Sequence, residues 1–275
     1  MDIDAYLRRV GLDARPPANL EGLKTLHRAH LRAIPYENLD VQFGRPVTIE
    51  RPAIYEKIVG RHRGGWCYEM NGLFGWALGE LGFKVTRATG AVMRELVSDA
   101  ALRNHLVLRV ELDEGLYLAD VGFGDGPVEP IRIVEGPFIS GGLPFSVTKL
   151  DDAWWRLRNH PSGGAPSFDF NLAPVDEKLL AEKCDEQQFS PQSHFVQNLF
   201  CFRFRENGVI GVRGRVVRTV TPEGHEDRVL NSADELVQFF DEELDLRDPE
   251  LASLWPRICA RHEELFGSHT STIAT

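Results

Sequence analysis

Apolar residues recur at helical spacing through the first third of the chain. Leu23, Leu26, Leu31 and Ile34 follow Asn19, a helix-capping residue type, and Pro35 ends the run. Asp4 is placed to cap a shorter helix through Val10, before Pro16-Pro17 break the chain, and Pro52 to open another over 53–59. The clearest stripe is Met70, Leu73, Phe74, Ala77, Leu78 and Leu81, closed by Gly82, which predicts a core-facing helix starting at or just after Cys67.

After Gly82 the period changes. Segments 84–90, 105–112, 116–121, 145–150, 154–159 and 168–172 read as strands separated by Asp113-Glu114-Gly115, Asp151-Asp152 and Ser162-Gly163-Gly164. Strands in succession without helices predict an antiparallel barrel or sandwich. No Gly-x-Gly-x-x-Gly joins a strand to a helix, which argues against a dinucleotide fold. In the last third, 199–205 and 209–212 flank Glu206-Asn207-Gly208 as a hairpin, and 215–221 continues the sheet. Ser232 with Glu235 forms a capping box, Asp248-Pro249 and Trp255-Pro256 mark helix starts, and the polar tail from Ser268 reads as frayed. The chain is α+β in three parts, 1–82, 83–195 and 196–275, expected to pack together because no low-complexity linker separates them.

A hydrophobic content of 43% with 26% charged residues is that of an ordinary globular protein. A net charge of -10 argues against a nucleic-acid partner. With no apolar leader or spanning run, no membrane partner is expected. Cysteines 67, 184, 201 and 259 are too scattered for a disulfide framework or zinc knuckle, and the cytoplasm is the expected compartment. His27 and His30 lack a third ligand nearby, so no metal site is expected.

Cys67 follows Gly64-Gly65 and precedes the helix, where free N–H groups and the helix dipole stabilise a thiolate. The plain alternative is an inert buried cysteine. His105 begins one apolar strand and Asp120 ends the next. A buried aspartate is costly unless paired, and a histidine on the neighbouring strand is the ready partner; the alternative is a turn-forming aspartate. Direct opposition would centre the turn between Leu112 and Asp113, whereas turn chemistry favours Glu114; a β-bulge would remove part of the mismatch. Together Cys67, His105 and Asp120 supply a nucleophile, a base and an orienting carboxylate. Arg63 and Glu69 are either catalytic or, the favoured reading, a salt-bridged pair bracketing the Gly-Gly turn.

The stretch Arg63-Gly64-Gly65-Trp66-Cys67-Tyr68-Glu69-Met70-Asn71 resembles the active-site signature of arylamine N-acetyltransferases, as does Ile34-Pro35-Tyr36-Glu37-Asn38-Leu39-Asp40. Asn104-His105-Leu106 and Asp120-Val121-Gly122-Phe123-Gly124 extend the resemblance along nearly the whole chain. It implies a helical N-terminal domain, an antiparallel β-barrel middle domain and an α/β C-terminal lid around a papain-like cysteine-triad core. It also implies that Cys67 takes an acetyl group from acetyl-coenzyme A, that His105 activates the thiol, and that Asp120 orients the ring. The acceptor would be an arylamine, arylhydrazine or N-hydroxyarylamine. Phe123 matches an aromatic of the acceptor pocket, with Tyr36 and Tyr68 expected in the same wall. Gly124 and Gly126 are candidates for backbone approaching the phosphates of coenzyme A.

A cysteine hydrolase of the papain or transglutaminase type shares the Cys, His, Asp order and is the main rival. A non-catalytic aromatic-ligand scaffold, and a biosynthetic transferase acting on a larger acyl chain, are the other readings.

Overall fold

Side-chain caps and glycines set the helix ends in the first part of the chain. The computed structural model describes residues 1–267; the tail from Ser268, expected to fray, lies outside them. Asp2, rather than Asp4, caps the first helix, Ile3–Arg9, by accepting the Asp4 N–H at 2.9 Å. Asp4 lies inside the first turn, where it can favour the dipole but cannot occupy the extended cap position. Asn19 caps Leu20–Ala33 through the Gly22 N–H at 3.0 Å. The helix Arg51–Tyr55 runs into a π-helical turn, Glu56–Gly60, which buries Lys57. Helix Cys67–Glu80 is buried on nearly every side and packs against strands Lys84–Val92 and His105–Leu112.

The larger sheet is antiparallel, in the order Ile131–Arg132, Gly115–Ala119, His105–Leu112, Lys84–Val92, Ser167–Pro174, Trp154–Arg158, Leu143–Lys149, Gly136–Ser140. Its two edge strands are consecutive in the chain, joined only by residues 133–135. A flat sheet of this many strands would hold them about 34 Å apart. The connection spans at most about 14 Å. The sheet must therefore curl, and no hydrogen-bonded pairing among the described residues closes it. The expected barrel is an open, curled sheet packed around Val107, Leu157 and Phe170.

The smaller sheet runs Tyr36–Glu37, Phe200–Arg205, Gly208–Arg213, Val216–Thr221, Gly224–Val229. Its first strand comes from the N-terminal part, with Tyr36 opposite Phe202, and Tyr36 also bridges Gly65. Helix Ala233–Leu244, capped by Ser232 through the Glu235 N–H, shares a core with this sheet. A further hydrophobic core draws Leu26, Phe74, Leu108, Tyr117 and Phe204 from all three parts of the chain. Among the described residues no helix is long and apolar enough to cross a membrane.

Candidate active site

Pro35 and Gly64 approach backbone to backbone. A Cβ on Gly64 would stand 2.1 Å from the Pro35 carbonyl oxygen, and one on Gly65 2.7 Å from Glu69 Cβ. Neither glycine has positive φ, so close approach is what the pair provides. The extended Trp66 is the N-cap and Cys67 the first helical residue, as expected. Glu69 accepts the Trp66 N–H at 3.3 Å. Cys67 is 2% exposed, with Sγ 3.8 Å from the Asn104 carbonyl oxygen.

Leu108 to Leu112 pair with Ala119 to Gly115 without interruption, so the turn is Asp113-Glu114. The centre falls near Glu114, as the turn chemistry favours, which takes His105 and Asp120 out of direct opposition; no bulge interrupts this hairpin, and the sheet's irregularity falls between Ala88 and Gly90. Continuing the register sets Asp120 across from Val107 and His105 across from Gly122. The two are diagonal neighbours on one face, a separation long side chains bridge. His105 Nε2 lies 2.7 Å from Asp120 Oδ2, leaving Nδ1 as the nitrogen for the sulfur side. Burial disfavours a charged imidazole, but Asp120 outweighs it and, with the neighbouring Cys67, pushes the His105 pKa up to about 10. Burial likewise opposes the Asp120 charge, yet His105, Asn71 and the Gly122 N–H keep its pKa below the ordinary value.

Asn71 lies one helical turn after Cys67 on the same helix, and the sequence alone assigns it no role. Its Nδ2 donates to Asp120 Oδ1 at 2.7 Å and to the Leu106 carbonyl at 2.6 Å, and its Oδ1 accepts the Val121 N–H at 3.0 Å. One helix thus carries both the sulfur and the clamp on the carboxylate. Gly122 completes the fit: a Cβ there would lie 2.8 Å from Cys67 Cα.

Arg63 and Glu69 do not pair with each other. Arg63 bonds Glu37 at 2.9 Å and Asp248 at 3.3 Å, whereas Glu69 takes Lys57 Nζ through both oxygens at 2.9 Å. Lys57 also meets Asp40 at 2.7 Å, so the expected pair is a chain of alternating charges. Burial would discharge Lys57, but Glu69, Glu37 and Asp40 together hold it protonated. The unpredicted π-helical turn is what brings Lys57 under the helix that begins at Cys67.

The Phe123 ring lies 5.9 Å from that of His105 and 4.8 Å from that of Phe168, a neighbour the sequence did not point to. Tyr36 packs in one cluster with Trp66, Cys67 and Tyr68, its ring 6.1 Å from Phe202. Tyr68 is fully buried; its hydroxyl donates to the Arg103 carbonyl at 2.7 Å and accepts from Gln187 Nε2 at 2.5 Å. Gln187 also donates to the Asn104 carbonyl at 3.0 Å. It belongs to Glu177–Phe189, a helix the pattern did not show because its buried positions are Leu180, Cys184 and Gln188, too polar a stripe. Gly124 has φ +94° and faces Phe202, and Gly126 packs beside Phe123. Asp125, between them, accepts from Asn159 Nδ2 at 3.0 Å and the Gly164 N–H at 2.5 Å. A cavity of about 330 Å³ runs from Asp125 and Phe202 to the last helix, Trp255–Phe266. Neither Cys67 nor His105 lines it; Phe202 connects it to Tyr36.

A family model described as N-acetyltransferase matches residues 19–249. The arylamine N-acetyltransferase of Mycolicibacterium smegmatis is 37% identical over 222 residues, 78% of this chain and 81% of its own length. A solved M. smegmatis arylamine N-acetyltransferase superimposes with TM-score 0.85 at 33% identity, covering 94% of this chain and 98% of its own. The Mycobacterium marinum enzyme, solved in complex with CoA, gives TM-score 0.83 at 28% identity over 96% and 99%. With its fold, its motifs and these likenesses in agreement, the chain belongs to the arylamine N-acetyltransferase family.

Proposed function

We propose that this protein moves an acetyl group from acetyl-coenzyme A to an aromatic amine, arylhydrazine or N-hydroxyarylamine in two half-reactions through Cys67. The observation that carries the reading is the constellation of a sulfur at a helix mouth, a neighbouring imidazole, and a carboxylate 2.7 Å from that imidazole. In the first half-reaction His105 takes the thiol proton and the sulfur attacks the thioester carbonyl. The carbon–sulfur bond to coenzyme A breaks, and His105 returns the proton to the departing thiolate. In the second, the acceptor nitrogen attacks acetyl-Cys67, His105 removes its proton, and the Cys67 sulfur leaves. One thioester replaces another in the first step, so little driving force is needed.

The first turn of a helix offers N–H groups without intrahelical acceptors. Glu69 takes that of Trp66, and those of Cys67 and Tyr68 are assigned to the developing oxyanion. Asp120 orients His105, and Asn71 orients Asp120. Phe123 and Tyr36 form the acceptor wall, with Tyr68 supporting it from behind, and Gly124 and Gly126 border the donor cleft. The three-part division at residues 82 and 195 is retained in this reading. A cytoplasmic setting accords with four cysteines that are all free.

The test is to incubate the protein with acetyl-coenzyme A alone and map adducts by mass spectrometry. An acetyl group on Cys67 that disappears when an aromatic amine is added is the expected result. A folded protein that gains none would overturn the assignment.

A further inference from the structure

Strands Lys84–Val92 and His105–Leu112 are antiparallel neighbours, paired as far as Gly90 and His105. A hairpin between such strands needs about two to five residues. Here residues 93–104 make the connection. Met93, Ser98 and Arg103 have φ of 61°, 55° and 65°, values that non-glycine residues hold only where their surroundings impose them. The returning end is pinned beside Cys67. Asn104 bonds both the N–H and the carbonyl of Val92, at 2.7 and 3.1 Å, and closes the base of the loop. The Tyr68 hydroxyl holds the Arg103 carbonyl, and the Asn104 carbonyl lies 3.8 Å from Cys67 Sγ.

The outgoing end is held by charge, because residues 95–100 are exposed and Leu96 and Val97 bury little apolar surface. Glu95 accepts from Arg156 at 2.8 Å, from Arg158 at 3.2 Å and from the Ser167 hydroxyl at 2.8 Å. Arg156 is itself forked onto Asp169, at 2.6 and 3.0 Å, and Arg94 stacks on Trp154. Ser167 and Asp169 flank Phe168, whose ring lies 5.1 Å from that of His105, and neighbours on a strand point to opposite faces. The segment is thus fastened to the back of the sheet and returns to Cys67 on the front.

We propose that segment 93–103 is a strap that keeps water from acetyl-Cys67, and that Glu95 is the positioning residue that holds it closed; the inference rests on the acetyl-transfer reading above. The acetyl-enzyme has two fates. An amine takes the acetyl group, or water adds at the thioester carbonyl, the carbon–sulfur bond breaks, and acetic acid leaves with the thiol restored. A transferase must make the second fate slow, and excluding water does so. Opening the strap uncovers Cys67 on its Asn104 side and leaves the bond between His105 and Asp120 intact. Local opening is limited by the contacts that resist it, so Glu95 sets how often water enters.

The experiment follows the intact protein, Glu95→Ala and Glu95→Gln after a pulse of acetyl-coenzyme A, with acetyl-Cys67 read by mass spectrometry in the absence and presence of an aromatic amine. In Glu95→Ala the ratio of hydrolysis to amine transfer should rise about tenfold, the effect of losing hydrogen bonds to a charged group. Glu95→Gln keeps an acceptor for Arg156 and Ser167 and should fall between. Damage to the fold slows both fates together, whereas the strap moves their ratio; an unmoved ratio would overturn the proposal. The Glu95 and Arg156 side chains are 21% and 15% exposed, so salt reaches the pair. Raising NaCl from about 0.05 to about 0.5 M should therefore speed hydrolysis in the parent and leave Glu95→Ala indifferent; equal responses would overturn the assignment to Glu95. Alkylation of Cys67 by iodoacetamide needs no acetyl transfer. It should be faster in Glu95→Ala, and that gain supports the strap even if no acetyl group reaches Cys67, in which case the proposed function fails alone. If acetyl-Cys67 forms while its hydrolysis and the alkylation rate match those of the parent, the strap fails and the transferase reading survives.

Discussion

His105 and Asp120 meet diagonally across their hairpin, Nε2 2.7 Å from Oδ2, while the strand register sets Asp120 across from Val107. The diagonal leaves the carboxylate's other oxygen free for Asn71 and the Gly122 N–H, at 2.7 and 2.8 Å. A carboxylate fixed on both oxygens cannot follow the ring, so the ring is held to the carboxylate.

Asp120→Asn keeps the shape and removes the charge. Burial is then opposed only by the neighbouring Cys67, and the His105 pKa should fall from about 10. The rate of Cys67 acetylation should drop by about 10³–10⁴ with circular dichroism unchanged. NMR titration of the ring and single-turnover kinetics read the two effects, and a rate within tenfold of the parent would refute the orienting role.

Asn71→Ala removes a fully buried amide that serves Asp120, Leu106 and Val121. Leaving such partners unsatisfied should cost about 2–4 kcal/mol in urea unfolding. Acetylation should fall as well, since nothing then fixes Asp120. Loss of stability with full acetylation would show that the clamp serves the fold alone.

Lys57→Met strands Glu69 and Asp40 beneath the helix Cys67–Glu80 without their shared cation. Breaking a buried pair on one side should destabilise by about 3–5 kcal/mol. The guanidinium midpoint measures it, and a change near zero would mean that the network contributes nothing net.

Stability should decline on both sides of pH 6.5. Burial drives the His27 pKa down to about 4, so the unfolded chain takes the proton first. Its contribution is present above 6.5 and is lost as pH falls toward 4. His105 has the opposite sign: raised to about 10, it stabilises fully below 6.5 and loses that as pH climbs to 10. Melting temperature against pH should therefore peak near 6.5, and His27→Gln should flatten only the acid limb. An unchanged acid limb in that variant would remove His27 from the account.

The parts of the fold legible in advance are those whose signal is local. Asn19, Ser232 and Gly82 mark helix ends because a cap or a positive φ involves a few adjacent residues. The strands at Ile131–Arg132 and Gly136–Ser140 went unseen because they are short sheet edges, and Gly224–Val229 because every residue in it is exposed and nothing alternates. Helix Glu177–Phe189 was hidden by a buried face that includes Gln188.

The sequence by itself determined the α+β class, the helix that starts at Cys67, and a cysteine, a histidine and an aspartate in that order as the candidate residues. Those follow from periodicity, capping and the cost of burying a charge, all of which act within a short stretch of chain. Only the tertiary structure decided that His105 reaches Asp120 diagonally, that Asn71 clamps the carboxylate, that Lys57 stands between Arg63's partners and Glu69, and that Glu95 meets Arg156 and Ser167. Each of these depends on strand register, helix phase or the meeting of segments far apart in the chain. Such relations arise only when the elements pack, because no local interaction encodes them.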